Sequence, residues 1–148
     1  MSDKNIIILP IDFSELSLAA LPWARRVSTL TNAPIHCVYV VEPPQVYSAL
    51  GVAPAIALPT PEELANNAGK RLSEFVEEHL TGLDQEPATK VLMGKPSEAI
   101  VEYACQVDAA MIIMTTHGYS GLQHVVLGST TEAVLRKAEC PVLSVRSS

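Results

Sequence analysis

The sequence lacks the features of a nucleic-acid-binding or membrane protein. It has 10 lysines and arginines against 16 aspartates and glutamates, a net charge of −6, and no basic run. Because the phosphate backbone of a duplex binds to basic surfaces, we expect no nucleic-acid partner. No uninterrupted apolar stretch approaches the roughly 20 residues that span a bilayer, so we expect no membrane association. The polar start of the chain, without a hydrophobic leader, predicts a cytoplasmic protein.

Cysteine and histidine are too few and too scattered to form a metal site. Cys37, Cys105 and Cys140 form no CxxC motif, which argues against a zinc site and a disulfide framework. We interpret them as small buried apolar side chains. The four histidines are dispersed along the chain, so the close spacing of metal ligands is missing as well.

Well-known catalytic and phosphate-binding motifs are also missing. The chain has no GxxxxGK[ST] loop, no GxGxxG after its first apolar run and no GxSxG elbow. These absences argue against a classical NTPase, a dehydrogenase and a hydrolase. His117 is paired with no evident nucleophile, so we predict no catalytic residue.

What the chain does contain is the pattern of one doubly wound α/β domain. Its 148 residues, 48% of them hydrophobic, suffice for a single core, so we predict one domain over residues 1–148. Buried-strand patterns alternate with amphipathic helices, and every connection is long enough for a right-handed crossover between parallel strands. The predicted strands span 5–11, 35–41, 88–93, 110–115 and 141–146, and the predicted helices span 14–32, 60–80, 96–107 and 129–138.

Several local signals refine these elements. Thr60-Pro61-Glu62-Glu63 predicts a capping box at the start of the second helix, and Ser129 and Glu132 have the same spacing. Pro22 predicts a bend within the first helix. Residues 43–59 carry four of the eleven prolines, which predicts a long loop that covers a site or moves.

Candidate ligand-binding residues follow the strands, because open α/β sheets bind ligands at the carboxyl ends of their strands. Gly128 and Ser129 at a helix start suit a phosphate group, with an ordinary cap as the alternative. Asp12 would accept hydrogen bonds from an adenine amino group or a ribose hydroxyl, or else help to cap the first helix. His117 would donate to a phosphate oxygen, and Gly118 would admit an anion or form a tight turn.

The chain resembles the universal stress protein family from Ile6 to Arg146. The family signature, Gly-x2-Gly-x9-Gly-[Ser/Thr], matches Thr115-x2-Gly118-x9-Gly128-Ser129, except that Thr115 replaces the first glycine. Four further segments match the family in the right order: ILPIDFSELSLAAL, VVEP, GKPSEAIVEYA and CPVLSVR.

The resemblance implies a Rossmann-like fold of the adenine nucleotide alpha hydrolase type, with strand order 3-2-1-4-5. It also implies a homodimer formed through the last strand, residues 141–146. Some members of such a family bind ATP and others do not. The implied ligand is therefore ATP or AMP, with any Mg or Mn held by the phosphates.

The resemblance also assigns positions in the site. Asp12 would hold the adenosine end together with Pro10, Ile11 and Val41. The glycine-rich loop and the start of the fourth helix would hold the phosphates, where Gly118, Gly128, Ser129 and Thr130 match the family. Thr115 would be strained or intrusive if the glycine it replaces needs a positive φ, and harmless if it simply ends a strand.

Three hypotheses about function follow. The first is a stress-response module that binds an adenine nucleotide at the edge of the sheet. The second is a homodimer without nucleotide that acts through protein–protein interaction. The third, a slow ATPase, lacks an evident general base and a lysine that would clamp the phosphates.

Overall fold

A computed structural model describes residues 5–43, 58–116 and 127–147. Strands and helices alternate along the chain, with a short 3-10 helix at Glu15–Ala20. The strands are β1 (Ile7–Pro10), β2 (Ile35–Val41), β3 (Ala88–Met93), β4 (Met111–Thr115) and β5 (Val142–Val145). The α-helices are α1 (Leu21–Thr31), α2 (Pro61–His79), α3 (Pro96–Gln106) and α4 (Ser129–Lys137).

The five strands form one parallel sheet in the order β3-β2-β1-β4-β5, which confirms the predicted fold and strand order. Strand β1 lies at the centre, where Ile7 pairs with Ile35 of β2 on one side and with Met111 of β4 on the other. The order reverses between β1 and β4. This switch point opens a crevice at the carboxyl edge of the sheet.

The sheet is covered on both faces, so the central strand is apolar at successive positions. Ile7 and Leu9 pack on one face with residues of α1 and α2, whereas Ile8 packs on the other face with residues of α3 and α4. All three are fully buried, with at most 1% exposure. A strand buried on both faces reads as a continuous apolar run, which is why the sequence pattern identified it.

The prediction of one bent helix over residues 14–32 is wrong. The chain forms the 3-10 helix first, and α1 begins only at Leu21, with Pro22 in its first turn. Proline lacks an N–H group, so it fits a first turn, where that group has no intrahelical partner.

The two helix starts that share a capping-box spacing differ in the structure. Thr60 accepts from the Glu63 backbone, and the Glu63 carboxylate accepts from the Thr60 backbone, which confirms that box. The box predicted at Ser129 is wrong, because Ser129 is the first residue of α4 and the N-cap is Gly128, which makes no side-chain cap. Glu132 pairs instead with Arg136 at 2.7 Å.

Other sequence predictions have mixed outcomes. Cys37 is buried as expected, but Cys105 is exposed, because it lies on the outer side of α3. Most of the predicted loop at 43–59 lies outside the described residues, at 44–57. Within the described ranges, each helix is too short or too polar to cross a membrane.

Candidate functional site

A cavity of about 690 Å³ lies at the carboxyl edge of the sheet. Pro10 and Ile11 line it from β1 and the residue after that strand, Val40 from β2, and Met114 from β4. Its size falls within the range of about 300–1,000 Å³ that is usual for small-molecule sites. The cavity therefore occupies the position where sheets of this kind bind ligands.

Asp12 follows β1 and lines the cavity with a half-buried side chain. Its Oδ1 accepts from both the backbone N–H and the hydroxyl of Ser14, at 2.9 and 2.5 Å. The Ser14 hydroxyl in turn accepts from the N–H of Ser17 and caps the 3-10 helix. These bonds orient the carboxylate through one oxygen, and within the described ranges no hydrogen bond engages Oδ2. Asp12 thus has the capping role that the sequence left open, and its carboxylate also lines the cavity.

The start of α4 borders the cavity and offers backbone donors. Gly128, Ser129 and Thr130 line the cavity. The first amides of a helix have no intrahelical partner, and here no N-cap side chain satisfies them, because the N-cap is glycine. Helix α4 is anchored to the sheet by the hydroxyl of Thr131, which donates to the carbonyl of Thr115 at 2.7 Å. This arrangement favours an anionic group in front of the helix.

Thr115, which replaces a family glycine, is the last residue of β4 and pairs with Val145 of β5. Its φ is negative, since the positive values among described non-glycine residues belong to Phe13, Asn32 and Asp108. A threonine in extended backbone carries no strain. Thr115 lines the cavity without filling it, so the harmless alternative is the one that the structure supports.

Phe13 forms an aromatic wall beside Asp12. Its φ of 63° is unusual for a bulky side chain. Its ring lies 4.7 Å from the Tyr39 ring and 6.2 Å, edge on, from the Phe75 ring, measured between ring centres. The guanidinium carbon of Arg71 lies 4.2 Å from the centre of the Phe13 ring. Strained backbone of this kind persists where surrounding packing holds it in place, and it often marks a binding site.

The cavity brings together most of the residues singled out from the sequence. Val41 is not among them, because it is buried and its carbonyl accepts from the N–H of Gly94, while its neighbours Val40 and Glu42 line the cavity. His117 and Gly118 lie outside the described residues. The predicted residues that line the cavity are Pro10, Ile11, Asp12, Thr115, Gly128, Ser129 and Thr130.

Sequence reasoning missed several lining residues. Some of them, such as Phe13, Glu42 and Pro96, stand directly after strands or at a helix start, so the rule that selected Asp12 applies to them too. Arg71 is different, because it comes from the middle of α2 and carries no sequence signal. The remaining missed residues are Ser17, Val38, Tyr39, Val40, Ile100, Met114 and Thr131.

Burial shifts the pKa of three residues that do not line the cavity. It raises the pKa of the Cys37 thiol to about 12, so this thiol is an inert part of the core. Burial also lowers the pKa of His36 and raises that of Tyr103, and these two side chains share a hydrogen bond of 2.8 Å. Within the described ranges, no group of His, Cys, Asp and Glu side chains is placed to hold a metal ion.

Comparison with known proteins gives one consistent result. The model of the universal stress protein family matches residues 4–146. Universal stress protein MJ0531 of Methanocaldococcus jannaschii is 32% identical in an alignment of 146 residues. The match covers 95% of this chain and 81% of that protein.

Solved structures share the same fold. Protein MJ0577 of the same organism superposes with a TM-score of 0.78 at 26% identity, covering 98% of this chain and 97% of that one. A universal stress protein from Archaeoglobus fulgidus, solved in complex with dAMP, superposes with a TM-score of 0.63 at 19% identity. That match covers 98% of this chain and 99% of the other.

Proposed function

Since the chain belongs to the universal stress protein family, we propose that it binds an adenine nucleotide, ATP or AMP, in the cavity at the carboxyl edge of the sheet. In this proposal it serves as a cytoplasmic stress-response module, and occupancy of the cavity is the signal that it carries. A related structure that holds dAMP supports the choice of an adenine nucleotide.

The observation that carries the proposal is that one cavity joins two chemically different ends. At the end near β4, the start of α4 supplies backbone donors and the positive end of the helix dipole, which suit phosphate. At β1, Asp12 supplies a half-buried acceptor for a ribose hydroxyl or an amino group. Val38, Val40 and Ile100 supply apolar lining for a base. A nucleotide has these three chemical parts.

A divalent ion fits this proposal only as a companion of the nucleotide. Asp12 and Glu42 are the acidic side chains among the described lining residues, and they form no metal-binding group with other side chains. Mg or Mn would therefore be held chiefly by the phosphates, and AMP would bind without it.

The proposal is tested by titrating the purified chain with ATP and AMP in a calorimeter, after mass spectrometry of any nucleotide that copurifies. Gly128→Val places a branched side chain at the start of α4 and is expected to abolish binding. Gly69→Ala is the matched control, because a methyl group there meets only Val91, at an ordinary 3.9 Å. The proposal fails if neither nucleotide binds the original chain at millimolar concentration.

A second candidate function, interaction as a homodimer, is favoured by the position of β5. This strand forms one edge of the sheet and pairs only with β4 among the described residues. An edge strand presents unpaired backbone groups that a second copy could extend across a twofold axis, through residues 141–146. Sedimentation of the chain as a monomer at micromolar concentration would exclude this candidate.

A further inference from the structure

The cavity has a side that faces α2, and its chemistry differs from that of the phosphate side. Helix α2 packs against β2 and β3, whereas the start of α4 is anchored to the end of β4. The two helices also cover opposite faces of the sheet. Residues of α2 therefore reach the cavity from the face of the sheet opposite to the one that α4 covers.

Arg71 is the α2 residue that lines the cavity. Its guanidinium carbon lies over the Phe13 ring at 4.2 Å, which is stacking distance for a flat cation on an aromatic face. Phe13 is itself held by Tyr39 and Phe75. Arg71 forms no ion pair or hydrogen bond with any other described residue. Among the described residues, its position is thus set mainly by stacking on Phe13, and no described carboxylate accepts from its guanidinium.

The charges nearby indicate which part of a ligand would meet Arg71. Asp12 directly precedes Phe13, and Glu42 follows β2, against which α2 packs; both carboxylates line the cavity. Two carboxylates disfavour a phosphate there, and they accept hydrogen bonds from amino and hydroxyl groups. A planar, donor-bearing base meets both conditions, whereas a second phosphate does not.

We propose that Arg71 is a base-binding residue that stacks on the base of the bound nucleotide, with its other face backed by Phe13. This inference rests on the proposed function, because it assigns the base end of the same cavity. Arg71 then acts as a flat platform whose contribution depends on its planar shape more than on its charge.

The test measures the affinity for AMP, ATP and ribose 5-phosphate by calorimetry. Arg71→Gln is expected to weaken AMP and ATP by the same factor, about five- to thirtyfold, and to leave ribose 5-phosphate unchanged. Arg71→Lys keeps the charge but loses the plane, so it is expected to lose most of the same affinity. Lys70→Gln is the matched control. It removes the same charge from the residue directly before Arg71 in α2, and Lys70 does not line the cavity.

Each alternative outcome has a distinct meaning. Full rescue by Arg71→Lys would show that the charge of Arg71 acts rather than its plane, and an equal loss of ribose 5-phosphate affinity would show that Arg71 binds the phosphate; either result would overturn the inference. Unchanged AMP affinity in Arg71→Gln would overturn the inference while leaving the proposed function intact. If the original chain binds neither AMP nor ATP, the proposed function fails and the inference fails with it. Because Arg71 is exposed, the variant is expected to keep the circular dichroism spectrum of the original chain.

Discussion

Two helix starts in this chain have the same sequence spacing and opposite structures. At the start of α2, the Thr60 hydroxyl and the Glu63 carboxylate each accept from a backbone N–H, at 3.1 Å in both cases. At the start of α4, the N-cap is Gly128, which has no side chain to offer. The first helix start satisfies its own amides, and the second leaves that role to another group.

The difference separates a structural cap from a binding site. The start of α2 is exposed, so its capping box serves the stability of the helix alone. The start of α4 borders the cavity, and its nearest buried hydroxyl, that of Thr131, serves the sheet by donating to Thr115. On an exposed surface without a cavity, a helix start without a side-chain cap would only lack a stabilising hydrogen bond. Beside a cavity, its unpaired N–H groups are available to bind an anion.

The largest expected effect comes from giving α4 the cap that it lacks. Gly128→Asp is expected to lower the affinity for AMP at least about 100-fold, because a carboxylate within ~4 Å of the phosphate repels it by several kcal/mol. The same change is expected to stabilise the fold by a few tenths to about 1 kcal/mol, since aspartate is a better N-cap than glycine. The Gly128 backbone, with φ −56° and ψ 146°, accepts aspartate without strain. Calorimetry and urea unfolding measure the two effects.

Gly128→Asn is the matched control, because it supplies the same cap without the charge. A smaller loss of affinity than in Gly128→Asp is expected, together with a similar gain in stability. If both variants bind AMP as tightly as the original chain, the phosphate does not lie at the start of α4.

The next effect concerns the anchor that positions this helix start. Thr131 is only 3% exposed, and Thr131→Val removes its hydroxyl while keeping its shape. The change is expected to lower the free energy of unfolding by about 1–2 kcal/mol, because the part-buried hydrogen bond from the Thr131 hydroxyl to the Thr115 carbonyl is lost. Thr131→Ser retains the hydroxyl and is expected to lose less. Equal losses in both variants, measured by urea unfolding, would mean that packing rather than the hydrogen bond holds α4.

The same two helix starts show which features of the structure can be predicted from the sequence and which cannot. Apolar runs such as the one around Ile8 are local, so the strands and the edge that carries the cavity follow from pattern and from topological rules, whereas the strand order is implied by the family resemblance. The identity of an N-cap residue, in contrast, depends on tertiary contacts as well as on the neighbouring sequence. Ser129 has the spacing of a cap, but in the structure it is the first residue of α4 and Gly128 is the N-cap, and the hydrogen bond from Thr131 to Thr115 anchors the helix in this position.

The parts of the candidate site that sequence reasoning missed are tertiary in origin. Val41 is buried and its carbonyl accepts from the N–H of Gly94, whereas its neighbours Val40 and Glu42 line the cavity, a difference that depends on packing around the end of β2. Arg71 reaches the cavity because α2 lies across β2 and β3 and because Phe13 adopts a positive φ. Neither condition can be predicted from the residues around position 71.

The smallest effect is expected at the helix start that has its own cap. Thr60→Ala removes the hydroxyl that accepts from Glu63, and it is expected to lower the free energy of unfolding by about 1 kcal/mol. The affinity for AMP is expected to stay unchanged, because Thr60 does not line the cavity. Urea unfolding and calorimetry on the same preparation check the two statements together. A loss of AMP affinity in Thr60→Ala as large as the loss expected for Gly128→Asp would mean that the start of α2 also contributes to ligand binding. The distinction between a helix start that serves stability and one that serves binding would then no longer hold.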